Sequence, residues 1–266
     1  MLDSFWLSLI AKMIASGALV IAVALIVERT GPFTGAMVAT LPLSAGPAYV
    51  VIGIEHGPDF VAQSALVSLA VNTAVAPFIV VYIFMAQRFG LVASLSAAAA
   101  AWLAGAGLIL HTAWSLPASL AANLLAFSAG ILVTRHYRTG PIPQRFAARW
   151  WDMPLRAALV MAVTLAVVLG GRLLGPAATG FAALAPVILT SVAIVLHPRQ
   201  GGRTAAAVFA NSLPGMFGFT AALAIVQTTA VPLGLAAALV LGLSMSVSWN
   251  IALLLLRYRG LFGFSR

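Results

Sequence analysis

Apolar runs of about twenty residues recur from one end of this 266-residue chain to the other, and each is long enough to cross a hydrocarbon core of about 30 Å. That repetition leaves few folds open. Only 7% of the residues are charged, against roughly 25% in a soluble domain, so polar surface is too scarce to coat a water-soluble globule. Continuous runs such as "LVIAVALIV" lack the alternation that a membrane β-barrel requires. The fold class is an all-α polytopic membrane protein.

The runs predict nine transmembrane spans, at 5–27, 34–54, 61–86, 91–111, 113–134, 154–174, 178–197, 204–226 and 231–256. The fourth and fifth together are too long for one helix and right for two, hinged at "HTAWSLP", His111 to Pro117. With the N-terminus outside, the cytoplasmic loops hold Arg29, Arg88, Arg135, Arg138, Arg145, Arg149, Arg156, Arg199, Arg203, Arg257, Arg259 and Arg266, and the outer loops hold only Arg172. This bias of bases toward the cytoplasm supports both the orientation and the span count. It also accounts for the formal charge of +9 without a nucleic-acid partner. The start of the chain reads as a retained helix rather than a cleaved signal, because Asp3 precedes the apolar run and Lys12 interrupts it. The expected location is the plasma (inner) membrane, with the C-terminus cytoplasmic.

The segment Arg135 to Arg156 is the one long polar connection and divides the chain. Residues 1–134 form a first repeat of five spans, 135–153 a cytoplasmic linker and 154–266 a second repeat of four. The halves echo one another. "ALVIAVALIV" (18–27) and "ALVMAVTLAV" (158–167) agree at seven of ten positions, and each is followed by Gly-Pro, Thr-Gly and Pro, in "GPFTGAMVATLP" and "GPAATGFAALAP". Each half then places an Asn before a hydroxyl residue, Asn72–Thr73 in "VNTAVAP" and Asn211–Ser212 in "ANSLPGM". Five spans before the repeat restarts make equivalent helices cross in opposite directions, an inverted-topology repeat.

Proline removes a backbone donor and crowds the preceding turn, so "LPLSAGP" (41–47) predicts an interruption of the second helix, and "LAPVILTS" (184–191) one of the seventh. Unwound backbone at membrane depth is tolerated only within protein or beside a wet cavity. Paired interruptions mark the binding site of a carrier. The candidate substrate-binding residues are Pro42, Ser44, Gly46, Asn72, Thr73, Pro186, Thr190, Ser191, Asn211 and Ser212. Lys12, Glu28 and Arg29 are candidates for anion attraction or a gate, although a snorkelling lysine and a solvated ion pair are the readings expected by default. Asn123 and Asn250 have no evident mate and read as helix-to-helix glue.

Catalytic signals are poor. There is no H-E-x-x-H, no G-x-S-x-G, no Walker lysine and no cysteine. Glu55, His56 and Asp59 share one outer loop but make a weak metal set, and no metal or other cofactor is expected. No Asp or Glu lies within a span, and His111 is the histidine counted near one, which disfavours strong proton coupling and leaves Na⁺ coupling or facilitation. The chain reads as a non-enzymatic transporter or exporter of a small solute, alternating access around Pro42 and Pro186. The alternative is a non-transporting membrane subunit or assembly factor, packing through Ala- and Gly-rich faces such as Ser94 to Gly107, which also suit a homo-oligomer. The partners expected are the lipid bilayer and a small molecule or ion.

Overall fold

The computed structural model describes Ile14, residues 45–139 and residues 151–258. The readings at Lys12, Glu28, Arg29, Pro42 and Ser44 fall outside those residues. The described residues are helical, with no strand: α1 (Ala45–His56), α2 (Pro58–Asn72), α3 (Val75–Met85), α4 (Leu91–Leu110), α5 (Leu116–Thr134), a 3₁₀ turn (Arg135–Tyr137), α6 (Asp152–Leu174), α7 (Pro176–Ala183), α8 (Val187–Gln200), α9 (Gly202–Ser212), α10 (Gly215–Thr229) and α11 (Leu235–Tyr258).

Five segments are long and apolar enough to cross a membrane: Pro58–Met85, Leu91–Leu110, Leu116–Tyr137, Pro176–Gln200 and Leu235–Leu256. The bent pair α9–α10 raises the number to six. This marks a membrane protein. The hinge expected at His111–Pro117 is present. Ser115 caps α5 by accepting from the Ala118 N–H, and Pro117 occupies the first turn, where a missing donor costs nothing.

Pro58–Met85 is the central and most buried span, at 67%, with Leu91–Leu110 and Leu116–Tyr137 (22% each) packed on it, while Leu235–Leu256 (17%) packs on α10. Side chains of both halves share one core. Phe78 and Tyr82 of α3 stack on Phe209 of α9, with centroids 6.2 and 4.1 Å apart. The contacts fix directions. Asn72 meets Thr220, and Ala86 meets Gly202, so the α9–α10 span runs antiparallel to the central one. Gly180 lies against Ser64 and Ser68, and His197 meets Tyr82, so the α7–α8 span runs parallel to it. The ends bearing Arg88, Arg135, Arg138, Arg199 and Arg203 gather at one end of the bundle, where Tyr137 packs on Phe84 and Asn211 reaches the Arg138 carbonyl.

Three spans are interrupted, each beside a proline. Pro77 has no N–H for the Thr73 carbonyl, and the backbone tightens to three-residue bonds: Thr73 N–H to Ala70 O at 3.1 Å and Ala74 N–H to Val71 O at 2.9 Å. At Pro186 (φ −77°, ψ 53°) the Val187 N–H reaches the Ala185 carbonyl at 2.7 Å, an inverse γ-turn. At Leu213–Pro214 the axis bends by 45°. Only the second of these matches the interruptions expected in the second and seventh helices. In the second helix the described part of the predicted break, Ala45 to Pro47, is helical, so Gly46 sits in a regular turn rather than an unwound one.

Two corners are alike. Gly57 and Gly201 both hold φ 85°, with ψ 177° and 160°, a conformation reserved for glycine, and each turns one helix directly into the next. Gly201 lies 144 residues after Gly57. The same separation relates Gly31 to Gly175, Pro42 to Pro186, Ser68 to Ser212 and Gly90 to Gly234.

Candidate functional site

The central span carries a polar stripe. Ser64, Ser68 and Asn72 follow at four-residue spacing, which stacks them on one helix face, and all three are fully buried. Small glycines let neighbouring backbones reach this face. A Cβ added at Gly180 would stand 2.5 Å from the Ser64 carbonyl oxygen, and one at Gly105 would stand 3.2 Å from the Ala74 Cβ. On the side away from the arginine-rich end, Tyr49 donates to Ser68 Oγ (2.5 Å), and Ser68 donates to the Gly180 carbonyl (2.8 Å).

One turn deeper, three spans converge. Asn72 Nδ2 donates to Asn123 Oδ1 (2.8 Å) on α5 and to Thr220 Oγ1 (3.1 Å) on α10. The one proton of Thr220 Oγ1 lies between the Met216 carbonyl (2.9 Å) and Asn123 Oδ1 (3.3 Å). Asn123 Nδ2 reaches the Ser119 carbonyl (2.8 Å) and the Leu69 carbonyl (2.7 Å). The last bond matters, because the tightened turn at Thr73 takes away the helical partner of Leu69. Asn123 therefore does for the interrupted backbone what water would do outside a membrane. Asn72 Oδ1 and Thr73 Oγ1 are buried without a hydrogen-bond partner among the described residues. At equal rise per residue from Gly180 and its neighbours Ser64 and Ser68, the γ-turn at Pro186 falls level with Asn72 and Thr73. The arrangement is a buried, oxygen-rich layer with unmet acceptors between two interrupted helices.

Several expectations need correcting. Asn211 is not the mate of Asn72. It is half-buried at the arginine-rich end, donating to the Arg138 carbonyl (3.1 Å) and to its own helix at Ala207 (2.9 Å). Ser212 is closed on the Phe209 carbonyl (2.8 Å) and Ser191 on the Ile188 carbonyl (2.7 Å), so neither offers its proton to a ligand. Thr190 follows the γ-turn, its N–H bonded to Pro186. Asn123, read as glue without a mate, is the partner of Asn72. Of the predicted site residues, the structure brings Asn72, Thr73 and Pro186 to one level and leaves Gly46, Asn211 and Ser212 apart. The four-residue spacing of Ser64, Ser68 and Asn72 was the signal that would have found the layer.

His197 is the other omission. It closes the seventh apolar run, is buried, and its Nδ1 lies 2.9 Å from the Tyr82 hydroxyl. The histidine near a span is therefore this one rather than His111, which is exposed between α4 and α5. Beyond the spans, burial pulls the Arg138 guanidinium below the ordinary arginine value. At the opposite end His56 packs on Phe60 at 4.6 Å, and among the described residues no three metal-ligating side chains converge. Comparison of the chain with protein-family models, with curated proteins and with solved structures finds no match.

Proposed function

We propose that the chain is an integral membrane carrier for a small solute, with Asn72, Thr73, Asn123 and Thr220 forming the binding layer and the γ-turn at Pro186 beside it. In this reading it has nine spans, five and four, related as an inverted repeat, in the plasma membrane with the N-terminus outside. It alternates access by rocking about the interruptions. The carrying observation is the turn at Thr73 in the most buried span, where Asn72 Oδ1 and Thr73 Oγ1 have no partner among the described residues. A buried amide oxygen left unmet costs about 1–3 kcal/mol, and a ligand that donates a proton or a positive charge removes that cost. The recurring 144-residue separation and the antiparallel pairing of the central span with α9–α10 support the inverted repeat. The clustering of arginines at one end supports the orientation.

A second reading is favoured by the direct bonding of Asn72 to Asn123 and Thr220, together with the exposed apolar faces of α4, α5 and α11: a membrane subunit that only packs. Uptake by liposomes holding the purified protein, screened over sugars, amino acids, inorganic ions and drugs, separates the two. The carrier moves at least one solute, and Asn72→Ala or Thr73→Val stops it while the protein stays monodisperse. Wild-type liposomes that move none of them decide for the packing subunit.

A further inference from the structure

The arginine-rich end of the bundle is closed by a seam whose middle is a titratable pair. His197 of α8 and Tyr82 of α3 lie 2.9 Å apart, edge to face, with ring centroids at 6.0 Å. Tyr82 is fully buried and stacked on Phe209, and His197 is its one hydrogen-bond partner among the described residues. The backbone of Phe89, in the turn after α3, supplies the second hydrogen bond to the imidazole. Beside the ring, Gly202 packs so closely on the Ala86 carbonyl that no Cβ fits. The pair thus ties the end of the central span to the corner between α8 and α9.

The hydrogen-bond inventory of this seam balances for one protonation state only. A carbonyl only accepts, so the ring's single N–H goes to Phe89 and the remaining lone pair takes the Tyr82 proton. A second proton on the ring turns that lone pair into a donor. Tyr82 must then accept, and its own proton loses the one acceptor that it has among the described residues. The new charge also has to be held in a buried setting. The charged residues on elements packed against α8 are Arg203 on α9 and Asp152, Arg156 and Arg172 on α6, with Arg88 in the turn and Arg199 on α8 itself; α3 and α4 carry none.

We propose that His197–Tyr82 is a proton-binding site, and that binding one proton opens the arginine-rich end of the bundle by parting α3 from the α8–α9 corner. Nothing is transferred beyond the proton: it comes from water, adds to the imidazole, and leaves by the same route. Used in transport, this makes the proton the coupling ion. That use rests on the carrier reading, whereas the opening does not.

The absence of cysteine makes the test direct. Spin labels at Gly90→Cys, where a side chain meets open space, and at Arg203→Cys, which is exposed, straddle the seam. In lipid nanodiscs the distance between labels shifts longer as the pH falls from about 8 to 5. His197→Gln accepts from Tyr82 and donates to Phe89 but gains no charge, so it holds the short distance throughout. Tyr82→Phe shows the long distance already at high pH. An unchanged wild-type distance, or a pH response that survives in His197→Gln, overturns the proposal. If His197→Gln does not fold, ring-nitrogen NMR on His56→Gln/His111→Gln/His136→Gln reads His197 alone; opening while that ring stays neutral overturns it equally. A seam that opens in a protein moving no solute leaves the proton site standing and removes the carrier.

Discussion

The interruptions at Thr73 and at Pro214 have the same origin and opposite fates. In each a proline withholds an N–H from a helix inside the bundle. At Pro214 side chains meet most of the freed backbone, though Asn211 Oδ1 has no partner among the described residues. Trp249 Nε1 donates to the Pro214 carbonyl (2.8 Å), Ser212 to Phe209, and Asn211 to Ala207. At Thr73 the repair is partial. Asn123 caps Leu69, yet the Asn72 amide oxygen and the Thr73 hydroxyl stay unmet. The Pro214 bend keeps one unmet amide oxygen, on a half-buried residue, whereas the Thr73 turn keeps two unmet oxygens in the most buried span, which is why the proposed ligand is placed there.

The contrast can be broken by substitution. Asn123→Leu should do the most harm, about 3 kcal/mol, because it strands the Leu69 carbonyl and part of the Asn72 amide in an apolar layer. Thermal unfolding in detergent reads this, and a loss as small as that of Trp249→Phe would erase the difference between the two bends. Gly218→Ala should cost about 2 kcal/mol, since its Cβ would stand 2.6 Å from Trp249 and push the indole off Pro214. Trp249→Phe removes one hydrogen bond while keeping the ring against Phe217, for about 1 kcal/mol in the same assay. Thr73→Val should change stability least, by about 0.5 kcal/mol or less, because the hydroxyl it deletes bonds to nothing among the described residues. The same substitution should abolish flux in liposomes, and a destabilisation comparable to Asn123→Leu would show that Thr73 is structural.

Much of the helical plan was legible in the sequence. Eight of the nine predicted spans overlap described helices, and five of them, or six with the bent pair, are long and apolar enough to cross a membrane, because hydrocarbon demands continuous apolar length and punctuation by Gly and Pro. The interruption at Pro186 was legible for the same reason. Those at Thr73 and Leu213 were hidden, although Pro77 and Pro214 stood in the quoted motifs, because each proline breaks a bond to the carbonyl four residues back, inside an apolar run that continues on both sides. Pairing was the least legible. Asn72 finds Asn123, fifty-one positions on, through the way α5 lies across the central span, and periodicity along one helix holds no record of its neighbours. His197 was overlooked because it ends an apolar run, where a histidine resembles ordinary interface polarity, and burial there comes from α3 and α9.

The corner at Gly201 has a consequence for biosynthesis. One residue separates α8 from α9, too little chain to let either enter the bilayer while the other waits in water. The two would leave the insertion machinery together, as a preformed hairpin, and the same single-residue corner joins α1 to α2 at Gly57. Any side chain at these glycines would disturb the order of assembly before it disturbed the finished molecule.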